Sequence, residues 1–512
     1  MDATIASSAV IAVIALFILH YTIKLANKFW VRPKKVEKRL RELGFMGNPY
    51  RFFYGDAKEM EEMRLKVISE PMEHSDDISS RVLPYHHHLA QKYGKQFFIW
   101  IGTKPRLTIM DPVLVKDILS RPNEFQKPRK DHMAQALIGG LFTSEGNIWA
   151  EHKKIINPTF HMDKIKNMIP AIVKSSLELM EKWNMSLASK ESVEVDIWPD
   201  IEALTYDIVC KNILAVGETS EETKKIYQLR AKFNQQASKV ARLMFFPGWW
   251  NLPTKDLNTL KAVHKEVKAL VTKVVTKRLE QMKKGAKNEG DMLSLMLEAH
   301  QDETNKFSLD DVIDECRSFH FAGTESTARS LIWVLYVLSK YPEWQARARE
   351  EVLQVFGDQN PNVEGLNQLK IVTMILYEVM RLYPPTSMIH RAISKDTKLG
   401  DMVLPAWVQM TIPITLMNHD PDIWGEDVKQ FKPERFGEGV FNSKMQAVFM
   451  AFAGGPRKCI GQSLAMVLDT FVIATLLQRF SFEVSPSYLH APKHAFLLTP
   501  QFGMKLVLRK LV

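Results

Sequence analysis

The most apolar long stretch of the chain lies near its N-terminus, in residues 5–23, IASSAVIAVIALFILHYTI. About 19 mostly apolar residues are just enough to cross a bilayer as a helix. The only charged residue before the stretch is Asp2, whereas several basic residues follow it between Lys24 and Arg39. This order disfavours a cleaved signal peptide and predicts a single transmembrane helix with the following domain in the cytosol. A helix lying in the membrane interface is the alternative, because His20 and the serines weaken the apolar run.

A second long pattern, at residues 308–340, has the spacing of a helix. Ser308 with Asp311 predicts a capping box and Pro342 a stop, giving roughly 32 helical residues, or about 48 Å at 1.5 Å per residue. Its middle, AGTEST at 322–327, combines small residues with an acid and hydroxyls. Serine and threonine inside helices often donate back to a carbonyl of their own helix, which is the structural alternative to a catalytic role.

Shorter patterns complete a mainly α fold with small β-sheets. Apolar residues recur at helical spacing in 461–480 and in 365–385, where Pro384 and Pro385 end the helix. Strand-like alternation marks 398–405, 408–414 and 504–512. No Pro/Gly/Ser-rich linker or repeat divides the chain after residue 50. We therefore expect a membrane anchor at 1–30, a basic linker and turn at 31–50, and one large domain at 51–512.

Of the three cysteines, Cys459 has the most informative surroundings, FAGGPRKCIG at 452–461. Cys210 and Cys316 have no recurrent spacing that would support a disulfide framework, and no cluster of ligands suggests structural zinc. A free cysteine is often only a small buried hydrophobe. Cys459, however, precedes a predicted helix, whose N-terminus favours a thiolate. Glycines beside it would let the backbone approach a flat group, and Arg457 could meet an acidic group on that molecule.

This ten-residue loop resembles the haem-binding loop of the cytochrome P-450 superfamily, F-x-x-G-x-R-x-C-x-G. Phe452, Gly455, Arg457, Cys459 and Gly461 fill all of its fixed positions. The resemblance implies a cytochrome P-450 fold and haem b as cofactor, with Cys459 as the axial thiolate that favours O–O cleavage.

Companion motifs extend the resemblance along the chain. Glu378 and Arg381 match the E-x-x-R helix of the family, and Arg435 in FKPERF matches its later arginine. An exposed i,i+3 pair would contribute only a few tenths of a kcal/mol. The resemblance instead implies a buried Glu378–Arg381–Arg435 network with a structural role.

The AGTEST segment resembles the oxygen-binding motif of the family, which assigns proton delivery to Glu325, Ser326 and Thr327. Ser326 stands where threonine is usual, so a hydroxyl is retained without its β-methyl group. Trp149, Lys153 and Arg391 resemble residues that bind a haem propionate, but Lys153 replaces an arginine and loses the planar fork.

Within the superfamily the chain resembles the plant group of secologanin synthase and several triterpenoid oxidases over nearly its full length. The resemblance implies an isoprenoid substrate: an iridoid, a triterpenoid or a steroid. Departures occur at 210–222, at Ser326, and at Trp407, where that group usually has glycine in a turn. Segments expected to contact substrate are 131–142, 241–250, the long helix before Ala322, 386–389 and 496–499.

The expected function is a monooxygenase at the endoplasmic reticulum membrane that uses O2 and electrons derived from NADPH. No G-x-G-x-x-G fingerprint is present, so the resemblance implies NADPH–cytochrome P-450 reductase as partner. Lys153, Lys154 and Lys458 would form a basic surface suited to that acidic protein. The net charge is +10, but the basic residues are scattered along the chain and no nucleic-acid recognition motif accompanies them. Alternatives are a haem-thiolate isomerase or dehydratase, and a haem-binding protein without catalytic activity.

Overall fold

The computed structural model describes residues 2–128, 132–188, 190–214, 216, 220–240, 243, 248–285, 291–302, 304, 306–439 and 448–511. Helices dominate, as the sequence predicts. The α-helices of this part of the chain are α1 (Asp2–Ala26), α2 (Arg32–Glu42), α3 (Ala57–Ile68), α4 (Ser79–Val82), α5 (Pro84–Tyr93), α6 (Pro112–Ser120), α7 (His132–Leu137), α8 (Gly140–Thr143), α9 (Gly146–Ile156), α10 (Met162–Leu187), α11 (Ile197–Ile213), α12 (Glu221–Val240), α13 (Lys255–Lys283), α14 (Met292–Gln301), α15 (Leu309–Lys340), α16 (Pro342–Phe356), α17 (Val363–Leu366), α18 (Lys370–Leu382), α19 (Ile414–Asn418), α20 (Pro421–Trp424) and α21 (Gln462–Arg479).

The strands form four small sheets. They are β1 (Met46–Gly47), β2 (Gln96–Ile101), β3 (Lys104–Ile109), β4 (Ser192–Asp196), β5 (Ile389–Ala392), β6 (Thr397–Leu399), β7 (Met402–Leu404), β8 (Gln409–Ile412), β9 (Phe480–Val484), β10 (Pro492–His494), β11 (Leu498–Pro500) and β12 (Lys505–Lys510). The largest sheet has the order β1-β2-β3-β8-β5, and the others are β4-β12-β9, β6-β7 and β10-β11. Of the stretches with strand-like alternation, 408–414 and 504–512 contain β8 and β12, whereas 398–405 forms most of a hairpin in which β6 and β7 pair antiparallel across a turn at Gly400 and Asp401.

The N-terminal helix is longer than the apolar stretch that predicts it. A π-helical turn, Asn27–Val31, joins α1 to α2, so the chain is helical to Glu42. From Ile11 onward this helix is long and apolar enough to cross a membrane, and none of its most apolar window is buried in the protein. The predicted linker at 31–50 is thus partly helical, and Leu40 within it is fully buried.

The long helix α15 forms the centre of the core. The capping box of Ser308 and Asp311 is present, the helix is 32 residues long, and it ends one residue before Tyr341, as the sequence predicts. Every residue of its last three turns from 328 to 339 is buried. Because it packs against α11, α18 and α21, it fixes the elements that carry the candidate site residues.

Trp407 adopts an unusual backbone conformation in the loop between β7 and β8. Its φ is +73°, a left-handed value that costs a non-glycine residue about 1–2 kcal/mol. The side chain is 58% exposed, and the Arg32 guanidinium lies 5.5 Å from the centre of its ring. The conformation explains why glycine would suit this turn. The ring offsets part of the strain by contacting Arg32, the first residue of α2.

We expect Trp407→Gly to raise the free energy of unfolding by about 0.5–1 kcal/mol, because glycine adopts positive φ without strain. Trp407→Ala is the matched control: it loses the ring but keeps the strained backbone, and should lower stability. Urea unfolding followed by circular dichroism measures both. Equal destabilisation by glycine and alanine would show that the ring contact outweighs the strain.

Candidate active site

The loop that carries Cys459 is held against α6 by close backbone packing. Gly455 has φ +65°, and a Cβ atom there would lie 2.1 Å from the carbonyl oxygen of Leu119. The amide of Cys459 donates to the carbonyl of Phe452 at 2.9 Å, which closes the loop immediately before α21. A Cβ at Gly461 would meet only Phe160, at 3.7 Å, so the backbone stays open to a flat group.

The Cys459 thiol faces a cavity of about 2350 Å³. Pockets for a small molecule are usually about 300–1,000 Å³, so this one has room for a large cofactor and a substrate together. Its walls include the start of α21, the middle of α15 and strand β5.

Cys459 is exposed to the cavity, but the protein atoms packed around its thiol raise its pKa by desolvation, which disfavours the charged thiolate. The amide of Gly461 and the charge of Lys458 lower this pKa but do not outweigh the desolvation. The prediction that the helix N-terminus alone favours a thiolate is therefore incomplete. A metal cation bound at Sγ would supply the missing stabilisation, since a coordinating thiol is deprotonated.

Three cations, Lys127, Arg391 and Arg457, line the cavity near this loop. Burial lowers the pKa of Lys127 to about 7, and the charges of Arg457 and Arg391 add to the effect. Burial and the charge of Arg457 lower the pKa of Arg391 to about 10. Glu145 pairs with Arg457 at 2.6 Å, yet Nη1 of Arg457 is buried without a hydrogen-bond partner in the described part of the chain. In the described part of the chain one carboxylate, that of Glu145, thus faces three cations, and the two propionates of haem would supply further negative charge.

Trp149 and Lys153 lie behind this cluster and outside the cavity lining. The Lys153 ammonium donates to the carbonyl of Pro456 at 2.7 Å, and Arg457 stacks on the ring of Trp149 at 4.2 Å. They brace the loop and Arg457, whereas Lys127, which the sequence analysis missed, lines the cavity. No local motif marks Lys127, because its partners come from distant segments.

On α15, Ala322, Gly323, Glu325, Ser326 and Thr327 of the AGTEST segment all line the cavity. The Ser326 hydroxyl donates to the carbonyl of Ala322 at 2.6 Å, the intrahelical bond common for serine. Thr327 is 5% exposed. A Cβ at Gly323 would lie 3.2 Å from the Val209 side chain, so glycine also relieves the packing of α15 on α11.

Glu325 belongs to a buried cluster that the sequence analysis missed. Its carboxylate contacts Arg329 at 2.6 Å and Arg230 at 3.0 Å, and both guanidinium groups also contact Glu202, at 2.8 and 3.2 Å. Two acids and two arginines from α11, α12 and α15 therefore balance one another. The cluster holds the acidic group of AGTEST at the edge of the cavity.

A second missed group is Asp469 on α21. Its side chain is fully buried and accepts a hydrogen bond from the Ser330 hydroxyl at 2.6 Å. Burial raises the pKa of Asp469 to about 8, so the carboxyl group is mostly protonated at neutral pH. A polar pair thus joins α15 to α21 within a largely apolar contact.

Glu378, Arg381 and Arg435 meet in a buried network. Arg381 is bidentate on Glu378, with both distances 2.7 Å, and both side chains are 0% exposed. Arg435 lies 3.4 Å from the same carboxylate, and the amide of Lys432 donates to it at 2.9 Å. Burial raises the pKa of Glu378, and these partners oppose the rise. Arg381 also donates to the carbonyls of Asn418 and Val428.

The segments expected to contact substrate lie around the cavity where they are described. Residues of 386–389, of 496–499, and of α15 before Ala322 line it. Of the other two segments, residues 131, 241, 242 and 244–247 lie outside the described residues, as do 215 and 217–219 in the departure at 210–222.

Comparison with known proteins gives the class. The family model described as Cytochrome P450 matches residues 77–506. The chain therefore belongs to the cytochrome P-450 family of monooxygenases, which bind haem through a cysteine thiolate. It is 43% identical to Cytochrome P450 72A397 of Kalopanax septemlobus, over 95% of both chains, and 42% identical to Cytochrome P450 72A15 of Arabidopsis thaliana, over 99% of both. It is 40% identical to 7-deoxyloganic acid hydroxylase of Catharanthus roseus, over 96% of this chain and 97% of the relative.

We expect Arg381→Met to lower the free energy of unfolding by about 3–5 kcal/mol, because Glu378 would remain buried without its bidentate partner. Arg347→Met is the matched control. Arg347 pairs with Glu434 at 3.3 Å with both side chains about half exposed, so its loss should cost less than about 1 kcal/mol. Urea midpoints of the purified variants measure the difference. Equal midpoints for the two variants would contradict a structural role for the network.

Proposed function

We propose that the protein is a membrane-anchored monooxygenase that inserts one oxygen atom into a C–H bond of an isoprenoid. The observation that carries the proposal is that the Cys459 thiol and the small-residue face of α15 line one large cavity. Haem bound at Cys459 supplies oxygen activation, which electron density from the thiolate promotes. Lys127, Arg391 and Arg457 would bind the propionates, and Trp149 and Lys153 would hold Arg457 and the loop in place.

Ser326 and Glu325 have complementary roles in this proposal. The Ser326 hydroxyl reaches the cavity, and because its proton is directed to Ala322, its oxygen can accept a proton from water and relay it by rotation. Glu325 is paired with Arg230 and Arg329, so it would act by accepting hydrogen bonds from the water that brings the proton, and the two arginines fix its position. Thr327 also lines the cavity, but it is only 5% exposed and would support the packing of α15 more than the relay.

An isoprenoid substrate agrees with the apolar side of the cavity and with the relatives. Phe142, Met388, Ile389, Phe496 and Leu497 all line the cavity. One relative is named for an acid of the iridoid class. Electrons would come from NADPH–cytochrome P-450 reductase, and α1 would anchor the domain on the cytosolic side of the endoplasmic reticulum membrane.

Co-expression with the plant reductase tests the function. Iridoids, triterpenoids and sterols are supplied under ¹⁸O₂, and products are identified by mass. Incorporation of one ¹⁸O atom, dependent on NADPH, supports the proposal. Product formed without NADPH would instead indicate an isomerase or dehydratase. Haem binding without any product, with or without NADPH, would indicate a haem-binding protein that has no catalytic activity.

We expect Cys459→Ala to abolish both the red-shifted absorption band of the reduced carbon-monoxide complex and the activity. Cys210→Ala and Cys316→Ala are matched controls, because both thiols are buried in an apolar cluster and neither lines the cavity, so both variants should leave band and activity intact. Difference spectra of the three purified variants measure the effect. A wild-type band in Cys459→Ala would contradict the assignment of the ligand.

We expect Ser326→Ala to lower the product formed per NADPH consumed and to raise hydrogen peroxide, because the relay loses its oxygen. Ser326→Thr should hold or improve this coupling, since the β-methyl restricts χ1. Thr327→Ala is the control one residue along the helix, about 100° away. Paired measurement of NADPH oxidation and product distinguishes them. Loss of coupling in Thr327→Ala alone would transfer the role to Thr327.

A further inference from the structure

The cavity has a second basic region besides the propionate cluster of Lys127, Arg391 and Arg457. It lies on the face of the main sheet opposite to the side chain of Arg391. In the register of the sheet, Arg106 pairs with Gln409, and Thr411 pairs with His390. Laterally paired residues, and residues two apart, project from the same face of a sheet. Arg106 and His390 therefore share one face, while Arg391 projects from the other.

The side chains of this region are held in place by neighbours on the sheet. Gln409 accepts from Nε and Nη2 of Arg106 at 3.2 and 2.8 Å, and His390 contacts the Thr411 hydroxyl at 3.1 Å. His494 on β10 completes the region. Its Nδ1 is buried without a hydrogen-bond partner in the described residues, and the side chain lines the cavity.

The charges of the region are mostly of one sign. Burial, then the charges of Arg106 and Lys28, lower the pKa of Lys104. Burial and the charge of Arg64 lower the pKa of Lys493. All five of these cationic side chains line this end of the cavity. Glu61, the one described acid in this part of the lining, is already paired with Arg64 at 2.7 Å.

The histidines are neutral hydrogen-bonding groups here. Burial lowers the pKa of His494 to about 4, and burial together with Arg106 and nearby histidines lowers the pKa of His390 well below its usual value. At neutral pH the fixed charge therefore comes from Arg106 and the lysines. Arginine offers a planar fork of donors that matches a carboxylate, with neutral imidazoles able to donate beside it.

We propose that this region is a recognition site for the carboxylate of an acidic isoprenoid substrate, with Arg106 as the cation and His390 and His494 as further hydrogen-bonding groups. Arg106 is half-buried on β3 beside the imidazoles, whereas Lys28 is exposed just after α1, so Arg106 is the cation of this region that fits a group inside the cavity. The inference rests on the proposed function and narrows its substrate class. The other face of β5, which carries Arg391, would meanwhile serve the cofactor.

The test compares acids with their methyl esters on the haem-loaded protein. Binding is followed by the shift of the Soret band that accompanies displacement of water by a substrate, which needs no turnover. The probes are 7-deoxyloganic acid, a pentacyclic triterpenoid acid and dodecanoic acid, each with its methyl ester. We expect at least one acid to bind about 10- to 100-fold more tightly than its ester, the range for a hydrogen-bonded charge.

Arg106→Gln should abolish this preference for the acid while the ester binds as before. Arg106→Lys should restore part of it, because the charge remains and the fork is lost. Arg51→Gln is the matched control, since Arg51 pairs with Glu59 at 2.9 Å and does not line the cavity. An intact carbon-monoxide band in each variant shows that the fold and the haem site survive.

Equal affinity for acid and ester in the wild type, an unchanged preference in Arg106→Gln, or failure of all three acids to bind would overturn the inference. Oxidation of neutral isoprenoids without acid selectivity would overturn it and leave the proposed function standing. Selective binding of acids that requires Arg106, with no oxidised product from any isoprenoid, would support the recognition site and refute the proposed function.

Discussion

The buried ion pair between Glu378 and Arg381 is the constraint on which the position of the cysteine loop depends. Two ions removed from water are stable only if further hydrogen bonds satisfy them. Here the partners are carbonyls and an amide from two later segments, together with Arg435. The segment after Arg435 is thereby fixed on α18, and its Phe436 packs on Phe449 with ring centres 5.4 Å apart. Phe452, the first residue of the cysteine loop, joins this cluster.

A second constraint is the positive charge that the protein leaves uncompensated around the cavity. Among the described residues, Glu145 is the one acid that Lys127, Arg391 and Arg457 share, so without haem like charges are held close together there. A ligand that binds the native state and not the unfolded chain stabilises the native state. Haem would stabilise the native state in two ways. Its propionates would neutralise these cations, and its iron would stabilise the Cys459 thiolate, which desolvation disfavours. Cofactor binding and folding should therefore be coupled.

The sequence was sufficient to predict features that arise from residues close together in the chain. The capping box of Ser308, the length of α15 and the late strands follow from local spacing, and the structure has them. Lys127 and the partners of Glu325 could not be predicted in this way. Glu202 and Arg329, for example, are 127 positions apart, and only the packing of α11 on α15 joins them. The raised pKa of Cys459 could not be predicted either, because the desolvation of its thiol depends on segments that only the assembled fold brings around it.

Strand β5 shows how one short element can separate two electrostatic tasks. Alternation along the strand directs Arg391 to the propionate cluster and His390 to the face that holds Arg106. Because Arg391 and His390 are consecutive residues of one strand, the backbone of β5 keeps the two sites on opposite faces of the sheet at a fixed separation. A shift of β5 by one residue would exchange the two side chains and disable both sites. With both proposed sites in place, the register of β5 on β8 would couple the position of the cofactor to the recognition of the substrate.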